Sequence, residues 1–233
     1  MPLPRNPPST RREAEIDGTS SAPPERARNQ TGPALAMIEI SDLPAGFAAL
    51  DALMKEAQVT LISAGTVQHG HWLVVFAGEV HPVELSFARA LQSAGSTVLD
   101  AVLLADAEPR ILPSLTLGTL RPPSLQRSEI AAGDALGVTQ TSSSPTLLRS
   151  IDAALKGANV ELVELRAAEG LGGRALALLW GHQHDVEAAI ELATGAFARG
   201  RPEGCSTVLI PNADPEIERS LRGGSRFFKE FRG

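Results

Sequence analysis

"DALMKEAQVTL" at residues 51–61 returns, lightly edited, as "DAALKGANVEL" at residues 152–162, each position 101 residues after its counterpart. Both segments close an apolar-periodic helix and enter a strand. Both place a lysine at the same step of that passage, Lys55 in one copy and Lys156 in the other. A second echo, "GEVHPVE" from Gly78 and "GHQHDVE" from Gly181, shares G-x-x-H-x-V-E at an offset of 103, so two residues are gained between the echoes, around "AAEGLGGRA". In a chain of 233 residues, an internal period near a hundred predicts two compact units, each with its own core.

Working outward from the first echo, "LAMIEI" reads as a strand, and Phe47, Leu50, Met54 and Ala57 fall on one helical face. "VTLISAGTVQ" and "HWLVVFAG" follow as two β-type runs joined by a short loop at His69 and Gly70. A second helix starts with Pro82 in its first turn, where a missing N–H costs little, and buries Val83, Phe87, Ala90, Leu91 and Ala94. "VLDAVLLAD" closes the unit. The second unit repeats the order: "ALGVTQT", a helix through Leu147, Leu148, Ile151, Leu155 and Ala158, "VELVEL", "ALALLWG", a helix through Val186, Ile190, Ala193 and Phe197, and "STVLIP". The expected fold class is α+β, two tandem β-α-β-β-α-β (ferredoxin-like) domains.

Boundaries follow from composition. Residues 1–33 are rich in proline, arginine and serine and read as a disordered arm; 34–115 form the first domain; 116–133, with prolines and no helical stripe, the linker; 134–222 the second domain; and 223–233 a tail. The arm lacks the apolar centre of a secretory signal, and "NQT" at Asn29 is a chance match to a glycosylation acceptor. A net charge of -6 and a pI near 5.4 leave no basic footprint for phosphate, so nucleic acid is not expected as a partner. No apolar run approaches the roughly 18 residues that span a bilayer, so no membrane is expected either. A single cysteine, Cys205, rules out an intrachain disulfide framework and suits a reducing cytosol.

Catalytic and ligand motifs are weak. His69 with His71, and His182 with His184, form two HxH pairs, but zinc normally takes three or four ligands, and no HExxH spacing is present. "GLGGRA" at Gly170 is followed by a strand-like run, whereas a phosphate loop opens a helix. Cys205 has no histidine at a recognisable spacing, and no G-x-S-x-G elbow occurs. Among Glu79, Glu84, Asp185 and Glu187 nothing selects a general acid or base, and negative charge at helix starts accounts for most of them. The expectation is no enzyme, no metal and no cofactor.

"ALGVTQT", "IDAALKGANVELVEL", "GLGGRALALLWGHQHDVEAA" and "STVLIPNADPEIE", with "ALAMIEI", "DALMKEAQVTLI" and "FAGEVHPVE" in the first copy, resemble the shell-protein domain of bacterial microcompartments. The resemblance runs from Ala34 to about Leu221, and the doubled, non-permuted order is that of the trimer-forming tandem class, of the propanediol-utilisation type. It implies a homotrimer whose six domains make a pseudohexagonal tile with a central pore. The pore loop of the first repeat would be Gln68, His69, Gly70 and His71; Glu169, Gly170, Leu171, Gly172, Gly173 and Arg174 of the second would border the same opening. Some tandem relatives carry an iron–sulfur cluster on a loop cysteine, and Gln68 and His69 stand there instead, which argues against a cluster. Lys55 and Lys156 would mark tile edges, against the plainer reading of a solvated lysine at a helix end. Asn212 stands where relatives often carry an edge arginine. Expected partners are other shell proteins, hexameric and pentameric, encapsulated enzymes and small metabolites crossing the pore, in a cytoplasmic microcompartment shell. The rival reading is a soluble trimeric α+β small-ligand-binding or sensor protein.

Overall fold

In the first repeat four strands pair into one antiparallel sheet whose central strands are apolar at nearly every position, and two helices cover one of its faces. The computed structural model describes residues 33–117, 134–168, 170–221 and 224–225. The expected arm, most of the linker, Glu169 and most of the tail lie outside the described residues. The first repeat runs β1 (Ala34–Ile40), α1 (Leu43–Glu56), β2 (Thr60–Val67), β3 (His71–Gly78), α2 (Val80–Ala94), β4 (Val98–Leu104) and a short α3 (Ile111–Leu117). The second runs β5 (Asp134–Thr141), α4 (Ser144–Gly157), β6 (Glu161–Arg166), β7 (Ala175–His182), α5 (Gln183–Phe197), β8 (Ser206–Ile210) and α6 (Pro215–Leu221). The sheets have the orders β2-β3-β1-β4 and β6-β7-β5-β8. The α+β class and the β-α-β-β-α-β order expected from the sequence are those observed.

Equivalence extends to details. Ser143 caps α4 where Asp42 caps α1, and Pro145 and Pro44 stand in the corresponding first turns. Both outer strands carry an irregularity at matching places, Leu61/Ser63 and Leu162/Glu164. The strand registers pair Ile38 with Ala101 and Thr139 with Thr207, so β4 maps onto β8 at an offset of 106. At that offset Ile111 and Leu115 of α3 correspond to Ile217 and Leu221 of α6. The sequence pattern misses α3, and its last two residues, Thr116 and Leu117, fall in the expected linker. Seven residues give too few apolar positions to draw a stripe.

The central strands of the first sheet, β1 and β3, are buried on both faces, while the edge strand β2 is largely exposed. Ala36, Ile38, Trp72, Val74 and Phe76 pack against Ala49 and Leu53 of α1 and Val83 and Ala90 of α2. The other face, Leu35, Met37, Leu73, Val75 and Val102, belongs to one continuous core with Leu147, Leu148, Ile151 and Leu155 of α4. Packing volumes trade between repeats. A Cβ at Gly46 would collide with Trp72, whereas the second repeat has Leu147 and Ala175 at the equivalent positions, both buried. A large ring beside a bare backbone is thus matched by a large helix side chain beside a small strand one.

Candidate functional site

The two expected pore loops meet within the chain. After β2, Gln68–Gly70 form a tight turn in which His69 and Gly70 take φ of 67° and 74°. Such values suit glycine and strain a histidine, so other contacts hold His69 in place. They come from the second repeat: His69 Nε2 meets the Gly172 carbonyl, and the Gly172 N–H donates to Gln68 Oε1. Gly172 and Gly173 have φ of 61° and 78°, and a Cβ at Gly173 would collide with the His69 ring. The glycines of "GLGG" therefore serve both a left-handed turn and a close approach to the partner loop. Arg174 and Gly170 are exposed and Leu171 half-buried in the same loop. His71 turns elsewhere, its Nδ1 lying 2.9 Å from Glu39 Oε1, and its ring is 6.1 Å from that of His69.

A second cluster, which the sequence pattern does not reveal, lies along the seam between the repeats. The N-terminus of α4 points at two buried carboxylates of the first sheet. Ser143 Oγ donates to Asp100 Oδ2 at 2.5 Å, Thr146 Oγ1 donates to the same oxygen at 2.6 Å, and the Ser144 N–H donates to Glu39 Oε2 at 3.0 Å. Arg149 of α4 donates to the Ala101 carbonyl at 2.7 Å. Burial pulls its guanidinium below the usual arginine range, while Asp100 opposes that shift. These bonds engage both carboxylates, while Arg149 Nη1 and Ser144 Oγ are buried without a hydrogen-bond partner among the described residues. Further along the seam Asp152 accepts from the Glu108 N–H at 2.9 Å, and Arg110 donates to the carbonyls of Val160 and Leu155 at 2.6 and 3.0 Å. These positions were unreadable in advance because their signal is a difference between the copies: Glu39, Asp100 and Ser143 correspond to Gln140, Ser206 and Asp42.

The lysines at matching positions have different surroundings. Lys55 pairs with Asp51 at 2.7 Å, both exposed. Lys156 makes the same i,i+4 pair with Asp152 at 2.8 Å, but also donates to the Asp106 carbonyl across the seam. Asp106 maps onto Asn212, which is exposed, with φ of 46°. His182 lies 3.3 Å from Asp134 and His184 3.6 Å from Asp185. Among the described residues no group of three or more His, Cys, Asp or Glu is placed to hold a metal ion. Cys205 donates to the Arg201 carbonyl at 3.1 Å, and burial pushes its thiol up from the usual range. A cavity of about 300 Å³ opens beside the seam, lined by Ile62, Thr66, Leu73, Ser114 and Arg166 among others. Among the described residues, no helix is long and apolar enough to cross a membrane.

The apolar side of the seam has an open counterpart. On α1, Phe47, Leu50 and Met54 stand where α4 carries Leu148, Ile151 and Leu155. The α4 residues are at most 2% exposed, whereas Phe47 is 59% and Met54 44% exposed. On the matching face of the second sheet, Leu136, Leu178 and Trp180 are buried against Ile217 and Leu221 of α6 and neighbouring residues, and Val138 is partly buried. Val208 on that face is 49% exposed, and its counterpart Val102 is 4% exposed.

Residues 34–106 and again 135–213 match the BMC domain. The bacterial microcompartment shell protein PduT of Citrobacter freundii is 27% identical over 161 residues, 69% of this chain and 83% of that one. The carboxysome assembly protein CcmO of a Synechocystis strain is 27% identical over 201 residues, 81% of this chain and 64% of the other. Among solved structures, a microcompartments protein from Desulfitobacterium hafniense DCB superposes with a TM-score of 0.64 at 26% identity, over 81% of this chain and 99% of that one.

Proposed function

The chain belongs to the BMC domain family, as a bacterial microcompartment shell protein with two copies of the domain, and on that premise we propose that it is a homotrimeric facet tile. The observation that carries this reading is the half-satisfied seam. Inside the chain, α4 of the second repeat is buried on the sheet of the first. The matching surfaces are open in part: the outer face of α1 exposes Phe47 and Met54, and the outer face of the second sheet exposes Val208, while Leu136, Leu178 and Trp180 beside it are buried. A second copy placed in the same relation covers α1 of one chain with the second sheet of another, and three copies close a ring of six domains.

The role is structural, with no chemistry assigned to any side chain. Gln68, His69, Gly70 and the facing loop through Gly170, Leu171, Gly172, Gly173 and Arg174 would line an axial opening, with Glu169 in the same loop; their mutual hydrogen bonds support one continuous rim polar enough for small hydrophilic metabolites. His71, which bonds Glu39, would stand behind that rim. Lys55 and Asn212 would lie at the perimeter, and Lys156 would serve both the perimeter and the internal seam. Other shell proteins, hexameric and pentameric, and encapsulated enzymes would be its partners, in the cytoplasm as part of the shell. Light scattering after size exclusion should give three times the chain mass, and electron microscopy should show sheets or tubes, alone or with a hexameric shell protein. A monomer at micromolar concentration with native circular dichroism would overturn the tile. A trimer that never enters sheets or shells would favour the soluble ligand-binding alternative.

A further inference from the structure

Charge along the seam is reversed between its internal form and its open counterpart. Inside the chain the helix supplies hydroxyls and the strands supply carboxylates: Ser143 and Thr146 donate to Asp100, and the Ser144 N–H donates to Glu39. At the open counterpart Asp42 holds the helix-cap position of Ser143, and Leu43 that of Ser144. On the strands the registers pair Glu39 with Asp100 and Gln140 with Ser206, so Ser206 replaces Asp100 and Gln140 replaces Glu39. The hydroxyl has moved to the strand and the carboxylate to the helix. Even the cation follows, since Arg149, which lies beside Asp100, has Ala48 as its counterpart.

We infer that Ser206 and Gln140 of one copy form the docking surface for the Asp42 end of α1 in a second copy, through a hydroxyl–carboxylate pair reversed from the one inside the chain. Ser206 donates to the Asp42 carboxylate, and Gln140 accepts from the Leu43 N–H. Asp42 and Ser206 are both exposed in the single chain, and Asp42 Oδ1 accepts the cap bond from the Ala45 N–H at 2.8 Å.

This inference rests on the trimeric reading, and its test separates the two. The concentration dependence of mass is measured for the full chain and for Ser206→Asp, Asp42→Ser and the double variant. Serine is as good a helix cap as aspartate, so Asp42→Ser leaves α1 intact. Ser206→Asp alone should raise the midpoint of trimer dissociation on the order of 100-fold, because two carboxylates then face each other. The double variant should return to within about tenfold of wild type, having rebuilt between chains the pair that exists inside one. As an independent readout, Asp42→Cys with Ser206→Cys in a Cys205→Ser background should oxidise to disulfide-linked trimers. An unchanged midpoint for Ser206→Asp, a double variant no better than Ser206→Asp, or failure of the cysteine pair to cross-link would each overturn the reversed pair while a wild-type trimer stands. A wild-type monomer would remove both readings.

Discussion

Truncating one position of α1 and its equivalent on α4 should give opposite phenotypes. Phe47 and Leu148 are related by the 101-residue repeat, yet Phe47 is 59% exposed and Leu148 1% exposed. An aromatic side chain can bury roughly 200 Å², so covering the exposed part of Phe47 in a ring removes about 120 Å² from water. At ~25 cal/mol per Å² that is about 3 kcal/mol for each contact between chains. Phe47→Ala retains the Cβ and loses about 2 kcal/mol of it, which over the three contacts of a closed trimer raises the midpoint concentration on the order of 100-fold. In the monomer the same change costs only its ring contact with Trp72, whose centroid is 4.2 Å away, or about 0.5–1.5 kcal/mol. Leu148→Ala instead opens a hole in the internal seam and should lower folding stability by about 2–5 kcal/mol. Analytical ultracentrifugation from nanomolar to micromolar concentration reports the first effect, and thermal unfolding monitored by circular dichroism the second. The equivalence of the two seams is refuted if Phe47→Ala leaves the trimer midpoint where it was.

Two further substitutions test how the repeats diverged. Alanine for glycine inside a helix normally gains about 1 kcal/mol, but Gly46→Ala should destabilise the first repeat by about 1–3 kcal/mol, because the added Cβ falls on Trp72. Gly46→Leu combined with Trp72→Ala, which copies Leu147 and Ala175, should be more stable than Gly46→Leu alone by thermal melt. Lys156→Ala removes the pair with Asp152 and the bond to the Asp106 carbonyl, and should cost about 1 kcal/mol, or roughly 2–4 °C in Tm. Lys55→Ala removes only an exposed pair with Asp51 and should shift folding stability by less than about 0.5 kcal/mol. Equal melting shifts for the two lysine variants would contradict the asymmetry.

The sequence by itself determined the doubled β-α-β-β-α-β order, the buried stripes of α2, α4 and α5 and the loop between β2 and β3, whereas on α1 the face drawn by Phe47, Leu50 and Met54 is not the one that packs on the first sheet, which is Gly46, Ala49 and Leu53. Hydrophobic period is set by local geometry, and a repeat makes each reading twice. It also placed Gln68, His69 and the "GLGG" loop as candidates for one opening, through resemblance rather than through any local signal. The short α3 stayed hidden because seven residues offer no periodicity. Only the tertiary structure decided how the two copies divide their labour. Leu148 is core and Phe47 is surface although both are large, apolar and on the same face of equivalent helices, since burial depends on whether another sheet lies against that face. Lys156 crosses the seam and Lys55 does not for the same reason. The carboxylates Glu39 and Asp100 read as ordinary strand residues until α4 is seen to end on them, because pairing across more than forty positions of chain is a property of packing and leaves no trace in local sequence.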